Sequence, residues 1–277
     1  MLKKLAEGVV QVSRRGGVTF HSYMSPQQGL LVCVHVIESA NALVVVDAVM
    51  LRPHYTELRA YADSLGKPID RVIVSHLHPD HWFGLAAFDD VPVHSQQYTH
   101  DGIVIAGDTF LESKRAVYGD LVPSRKVVPS HIITPGTTVV DGVTYEFSEV
   151  NEVESVTALV IELPEVKTLV AQDLVYNHVH MFVGEKTSAG DYCCDNWMAA
   201  LSAYQAKGHE LILPGHGEPC GGEVFPEAIA YLSAVKELLR SAAGEDDLKR
   251  RTLERFPGYR LPEMLDLTNL FLYHRTW

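Results

Sequence analysis

Three imidazoles and a carboxylate fall within six residues, His76-Leu77-His78-Pro79-Asp80-His81, a density of donors that suits a metal ion better than any other chemistry. Imidazole nitrogen and carboxylate oxygen are ligands for Zn, Mn, Fe or Ni, whereas a structural zinc knot uses mainly thiolates. His76 and His78, two apart, share one face of an extended segment, which leaves Asp80 and His81 for a second ion. Pro79 fixes its own φ and drives His78 toward extended geometry, so the donors fan out.

The motif needs something to hold it. Arg71-Val72-Ile73-Val74-Ser75 reads as a buried strand ending at His76, and Trp82 to Phe88 as the opening of a helix or tight turn. Two more apolar runs end in a donor. Thr168 to Gln172 runs into Asp173, and Glu210 to Leu213 passes through Pro214-Gly215 into His216-Gly217. Open α/β folds place their sites beyond the carboxyl ends of strands, so these donors meet at one sheet edge. Alone, Asp173 reads equally well as a turn cap; beside the motif it reads as a ligand.

This order of motifs, with Leu43-Val44-Val45-Val46-Asp47 before it, resembles the metallo-β-lactamase superfamily from about Gly8 to Leu239. The resemblance implies an α/β (α+β) fold, a four-layer αβ/βα sandwich with a dinuclear site at one edge. It implies His76 and His78 on a first metal, Asp80, His81 and His216 on a second, and Asp173 between them. Most members carry one more histidine, in a turn before the strand that leads to the bridging Asp. Here the corresponding stretch runs Asn151-Glu152-Val153-Glu154, with no histidine. By register Glu154 takes that place, as a similar Glu does in the alkylsulfatase branch; Glu152 and Asn151 are the alternatives, and a solvated acidic turn is the plain reading. A carboxylate there lowers the positive charge of the cluster, raises the pKa of bound water, weakens attraction for anions and favours harder ions. Two divalent cations are expected, zinc first, with manganese or iron beside it.

The chemistry this implies is hydrolysis of an ester, lactone, amide, sulfate or similar bond in a small molecule by a bridging hydroxide, with Asp80 orienting the nucleophile and taking its proton. The competing readings are an iron-dependent oxidoreductase of the sulfur dioxygenase type and a metal-binding protein with a degenerate site. Tyr176, His178, His180 and Trp82 lie near the donors in sequence and are candidates for substrate contact, with wall packing or a structural role as the alternative. The other histidines have no partner spacing.

The rest of the chain sets limits. A net charge of −12, from 35 acidic against 23 basic residues, argues against a nucleic-acid partner. No apolar run approaches the ~18 residues of a membrane span, no hydrophobic leader follows Lys3-Lys4, and four scattered cysteines make no disulfide framework; the expected setting is cytoplasmic. One domain over residues 1–277 is expected, with an extension over about 246–277. Strands are predicted at Gly8–Val12 and Leu30–Glu38, with a polar loop over His21–Gly29 between them. Helices are predicted at His54–Gly66, at Trp197–Lys207 with Asp195 or Asn196 as N-cap, and at Phe225–Arg240. Gln96–Tyr118, punctuated by glycines, reads as an irregular substrate-covering insertion. The tail carries Phe256, Leu261, Leu265, Phe271, Tyr273 and Trp277, more apolar surface than a solvated terminus holds, and a homodimer contact is favoured over a lid.

Overall fold

The computed structural model describes residues 1–274; Trp277 lies outside them. Alternating apolar residues at the start of the chain build an antiparallel series, β1 (Leu2–Lys4), β2 (Val9–Arg15), β3 (Val18–Met24), β4 (Cys33–Glu38) and β5 (Leu43–Val46). Crossovers then switch the pairing to parallel. α1 (Arg52–Asp63) leads to β6 (Ile69–Val74), the short α2 (Pro79–Trp82) to β7 (Val93–Ser95), and α3 (Gln97–Tyr118) to β8 (His131–Ile132). These eight strands form one sheet in sequence order.

The second sheet has five strands. β9 (Gly136–Val140), β10 (Val143–Asn151), β11 (Thr157–Leu163) and β12 (Thr168–Tyr176) run antiparallel, and α4 (Cys194–Gln205) carries the chain across to β13 (Leu211–His216), parallel to β12. Helices α5 (Val224–Ser241), α6 (Glu245–Arg255) and α7 (Glu263–Asn269) complete the described chain.

The sheets face each other across Phe20, Ile37, Val46 and Ile73 on one side and Phe147, Leu159, Ile161 and Leu213 on the other. The outer face of the first sheet packs on Leu58, Trp82, Phe83 and Ile103, and that of the second on Trp197, Leu201, Phe225 and Tyr231. The result is the four-layer αβ/βα sandwich. Covered on both faces, β11 and β12 are buried at every position, which is why they read as unbroken apolar runs.

Three local expectations are corrected. β3 continues through Met24 where a loop from His21 was expected, because His21 is tied into the sheet by Glu38 (2.9 Å) and packed on Tyr61 (2.7 Å to its hydroxyl). Gln97–Tyr118 is one 22-residue helix. Its glycines hid the period: a Cβ at Gly102 would lie 2.4 Å from Leu77, and one at Gly107 2.8 Å from Lys126 and 3.3 Å from Trp82, so both mark close packing and not irregularity. α4 starts earlier than expected, with Cys193 at the N-cap and Asp195 in the first turn. The tail buries Leu261, Met264 and Leu265 in its own chain's core, leaving Leu270 and Tyr273 half exposed. Among the described residues no helix is long and apolar enough to cross a membrane.

Candidate metal centre

Both sheets send donors to one edge. β6 hands over to Ser75 and His76; His78 then forms the N-cap of α2 in extended conformation, Pro79 opens the helix, and Asp80 and His81 occupy its single turn. Glu154 comes from the turn between β10 and β11, Asp173 from the interior of β12 and His216 from the end of β13. Just before Asp173 the register of β12 against β13 shifts and Gln172 takes φ of +44°. Gly215 is required where it stands, since a Cβ there would fall 1.8 Å from Asp173 Oδ1.

The donors form two sets, His76, His78, Glu154 and Asp173 in one, Asp80, His81 and His216 in the other, with one donor atom from each residue of a set lying within 4.8 Å of the others. His78 Nδ1 meets Glu154 Oε1 at 2.9 Å, and His76 Nε2 lies 3.6 Å from Glu154 Oε2. Asp173 spans the sets: its Oδ1 is 3.1 Å from His81 Nε2, its Oδ2 3.1 Å from His216 Nε2 and 3.9 Å from His76 Nε2. Asp80 Oδ2 is 3.7 Å from both His81 Nε2 and His216 Nε2.

Such packing moves the protons of several donors. Burial opposes charge on His81, but Asp173, Asp80 and Asp47 raise its pKa well above the ordinary value. Burial also opposes charge on His78, yet Glu154 and Glu185 push it up to about 10. Burial and then the neighbouring His81 hold His76 well below its ordinary value. Burial lifts Glu154 to about 7 against the pull of His78, while His81 and His216 hold Asp173 well down despite its burial.

A surrounding layer of hydrogen bonds aims these side chains. Asp47, at φ +69°, accepts from the Ser75 amide (2.7 Å), the Ser75 hydroxyl (2.8 Å), His81 Nδ1 (2.7 Å) and the Gln172 amide. His216 Nδ1 donates to the Leu30 carbonyl at 2.7 Å. Each bond leaves the opposite ring nitrogen turned toward the cluster, the arrangement that metal-ligating histidines adopt. Inside the cluster, His76 Nε2, His81 Nε2, Glu154 Oε2 and Asp173 Oδ1 are buried without a hydrogen-bond partner. Orphaned atoms of this kind are rare and costly, and four converging at one place fit divalent cations.

The structure thus brings His76, His78, Asp80, His81, Glu154, Asp173 and His216 together, whereas exposed Asn151 stays outside. Glu152 points outward, accepting from the Ser188 amide at 2.8 Å. Of the four substrate-contact candidates, Tyr176 is closest, but as a brace for the donors: its hydroxyl donates to Asp173 Oδ2 at 2.7 Å and its ring stacks on His216 at 4.6 Å. The other three have partners outside the donor sets. Trp82 is wholly buried and donates to the Leu77 carbonyl, supporting the motif from beneath. His178 is exposed and pairs with Glu227 of α5, and buried His180 bonds the Tyr231 hydroxyl at 3.0 Å, so both belong to the α5 side of the fold. Sequence reasoning missed the roles of Asp47 and Glu185; Asp47 carried a signal, a lone carboxylate ending a buried strand, and Glu185 carried none.

The sequence profile of the metallo-beta-lactamase superfamily matches residues 29–216, and the chain belongs to that superfamily, whose members are mostly hydrolases. Among individual relatives, it is 25% identical over 244 residues to a linear primary-alkylsulfatase from a Pseudomonas species, a match covering 71% of this chain but only 45% of the relative. Among solved structures, a metallo-beta-lactamase from Pontibacter korlensis superposes with a TM-score of 0.61 at 19% identity, covering 81% of this chain and 99% of the other. A Pseudomonas aeruginosa metallo-beta-lactamase in its mono-zinc form gives 0.60 at 17% identity, covering 81% and 95%. At these identities the structures attest to the fold.

Proposed function

We propose that the chain is a dinuclear metal-dependent hydrolase of a small molecule. The observation that carries this reading is the pair of donor sets, linked through Asp173 and ending in buried atoms that lack a hydrogen-bond partner among the described residues. His76, His78 and Glu154 would hold one divalent cation, Asp80, His81 and His216 the other, with Asp173 shared; seven donors are too many for one tetrahedral ion. Bound there, the ions would supply Lewis acidity toward a carbonyl, phosphoryl or sulfuryl oxygen and an activated water. Zinc is the first choice, and the carboxylate Glu154 admits manganese or iron.

The protein's own share follows from exposure. His76, His81 and His216 have side chains at 0–1% exposure, while Asp80 and His78 stand at 13% and 22%, so substrate reaches the cluster over Asp80 and His78. Asp80, at the mouth, would orient the attacking water and receive its proton. The likeness to an alkylsulfatase supports sulfate and related esters as the first substrates to try.

The test is elemental analysis of protein purified without added ions, coupled to a panel of alkyl sulfates, carboxylic esters, lactones and β-lactams. Two metals per chain and turnover of one class are expected. Saturation at a single metal, with Asp80, His81 and His216 dispensable for binding, would defeat the dinuclear reading.

A further inference from the structure

His78 lies between two carboxylates. Its Nδ1 faces Glu154 Oε1 at 2.9 Å, and the opposite nitrogen, Nε2, faces Glu185 Oε1 at 3.8 Å. The Glu185 side chain is 8% exposed and sits on the same side of the fold as Glu154, Asp173 and Asp80. A buried carboxylate is costly unless it is paired, and the His78 ring is within reach of Glu185. We propose that Glu185 is the positioning residue for His78, accepting the proton on Nε2 so that Nδ1 is presented to a metal in the first donor set. The inference rests on the dinuclear reading above and adds a residue to it.

The chemistry demands such a group. An imidazole that gives one lone pair to a metal keeps its proton on the other nitrogen, and an acceptor facing that proton fixes the tautomer, the ring angle and the basicity of the ligand. Asp47 does this for His81 and the Leu30 carbonyl for His216. His78 is the most exposed histidine of the cluster and has no backbone partner of that kind among the described residues, while Glu185 faces its Nε2 edge. At 3.8 Å a small movement of the carboxylate as the site fills would close the gap to a direct hydrogen bond.

The local fold shows how Glu185 is held. Phe182 lies edge-on to the His78 ring at 5.4 Å, and the chain then doubles back, with Lys186 bridging Tyr192 and the Thr187 amide donating to the Asp191 carbonyl. The tip of this small hairpin is tied down by Glu152, which accepts from the Ser188 amide at 2.8 Å and from Asn196 at 3.3 Å. One acidic turn therefore serves His78 twice: Glu154 points in to Nδ1, and Glu152 points out to anchor the segment that brings Glu185 to Nε2.

The experiment is competition between metal-free protein and a chromophoric chelator for Zn2+ and Co2+, with the cobalt absorption spectrum recorded at each equivalent. Glu185→Met, of similar length without an acceptor, should lower first-site affinity by ~10–100-fold, the usual effect of losing such a partner, and alter the first-site cobalt bands while the second site stays as in the parent. Glu185→Gln, whose carbonyl can still accept from Nε2, should restore most of the affinity. Glu152→Ala, at an exposed anchor where folding is not at risk, should show a smaller loss of the same kind. Unchanged first-site affinity in Glu185→Met and Glu152→Ala, or an equal loss at both sites with a lower melting temperature of the metal-free protein, overturns the proposal. A parent that binds two ions while Glu185→Met matches it removes this inference alone; a parent that binds none removes the dinuclear reading with it.

Discussion

Asp47 belongs to neither donor set, yet four hydrogen bonds converge on its carboxylate, and through His81 Nδ1 it sets which nitrogen faces the cluster. Asn tolerates the left-handed backbone at that position, so Asp47→Asn removes charge and one acceptor while sparing the turn. We expect ~10–100-fold weaker binding at the second site, read by chelator competition, with first-site binding preserved; equal binding at both sites would show that Ser75 and Gln172 are what Asp47 serves. Glu154 admits a complementary test. Glu154→Ala should weaken first-site binding, whereas Glu154→His should keep the metal and shift preference toward zinc. Metal analysis after each substitution decides, and full binding of both ions by Glu154→Ala would mean the wrong member of the turn was chosen. The motif histidines were legible because their spacing is local. Glu185 was not, because its proximity to His78 exists only after the hairpin folds back over the site.

Among the elements, the parallel contact of β12 with β13 has little tolerance. Gly215→Ala would press a methyl group against the Asp173 carboxylate and against backbone atoms of Gln172 and Asp173 at 2.8 Å. Overpacking of this kind costs about 1–3 kcal/mol, so denaturant unfolding should show that loss together with a failure to fill both metal sites. Retained stoichiometry at parental stability would mean that β12 yields more readily than its buried setting allows. The same strands show what sequence conveys at this scale. β5, β6, β11, β12 and β13 announced themselves as apolar runs because both faces are covered. α3 did not, because glycines placed for contact with Leu77 and Trp82 broke its apparent period, and β3 did not, because polar His21 and Ser22 are buried in it by tertiary bonds.

For the whole molecule, buried neutral histidines predict sensitivity to acid. His35, bonded to the Ser22 hydroxyl and the Pro214 carbonyl at 2.9 Å each, has its pKa lowered by burial to about 4, and burial alone takes His180 to about 4. Unfolding returns each to the ordinary value near 6.5. The stability these neutral rings contribute is therefore whole above pH ~6.5 and is lost as pH falls toward 4, since the unfolded chain takes up protons the folded chain refuses. Glu154, lifted by burial to about 7, works in the opposite sense over that window, so the clean measurement is a difference. Urea unfolding of metal-free protein between pH 7 and 4.5 should be less steep for His180→Gln than for the parent, by at most ~1.4 kcal/mol per pH unit; parallel profiles would show that His180 is protonated in the fold. The division of donors between the sheets has a different consequence. His76, His78, Asp80 and His81 come from the first sheet, and Glu154, Asp173 and His216 from the second. During synthesis the amino-terminal sheet emerges first, without Glu154, Asp173 or His216. Neither donor set is complete until both sheets have been made and have closed on each other, so under the proposed function the chain would fill its sites after folding and not before it.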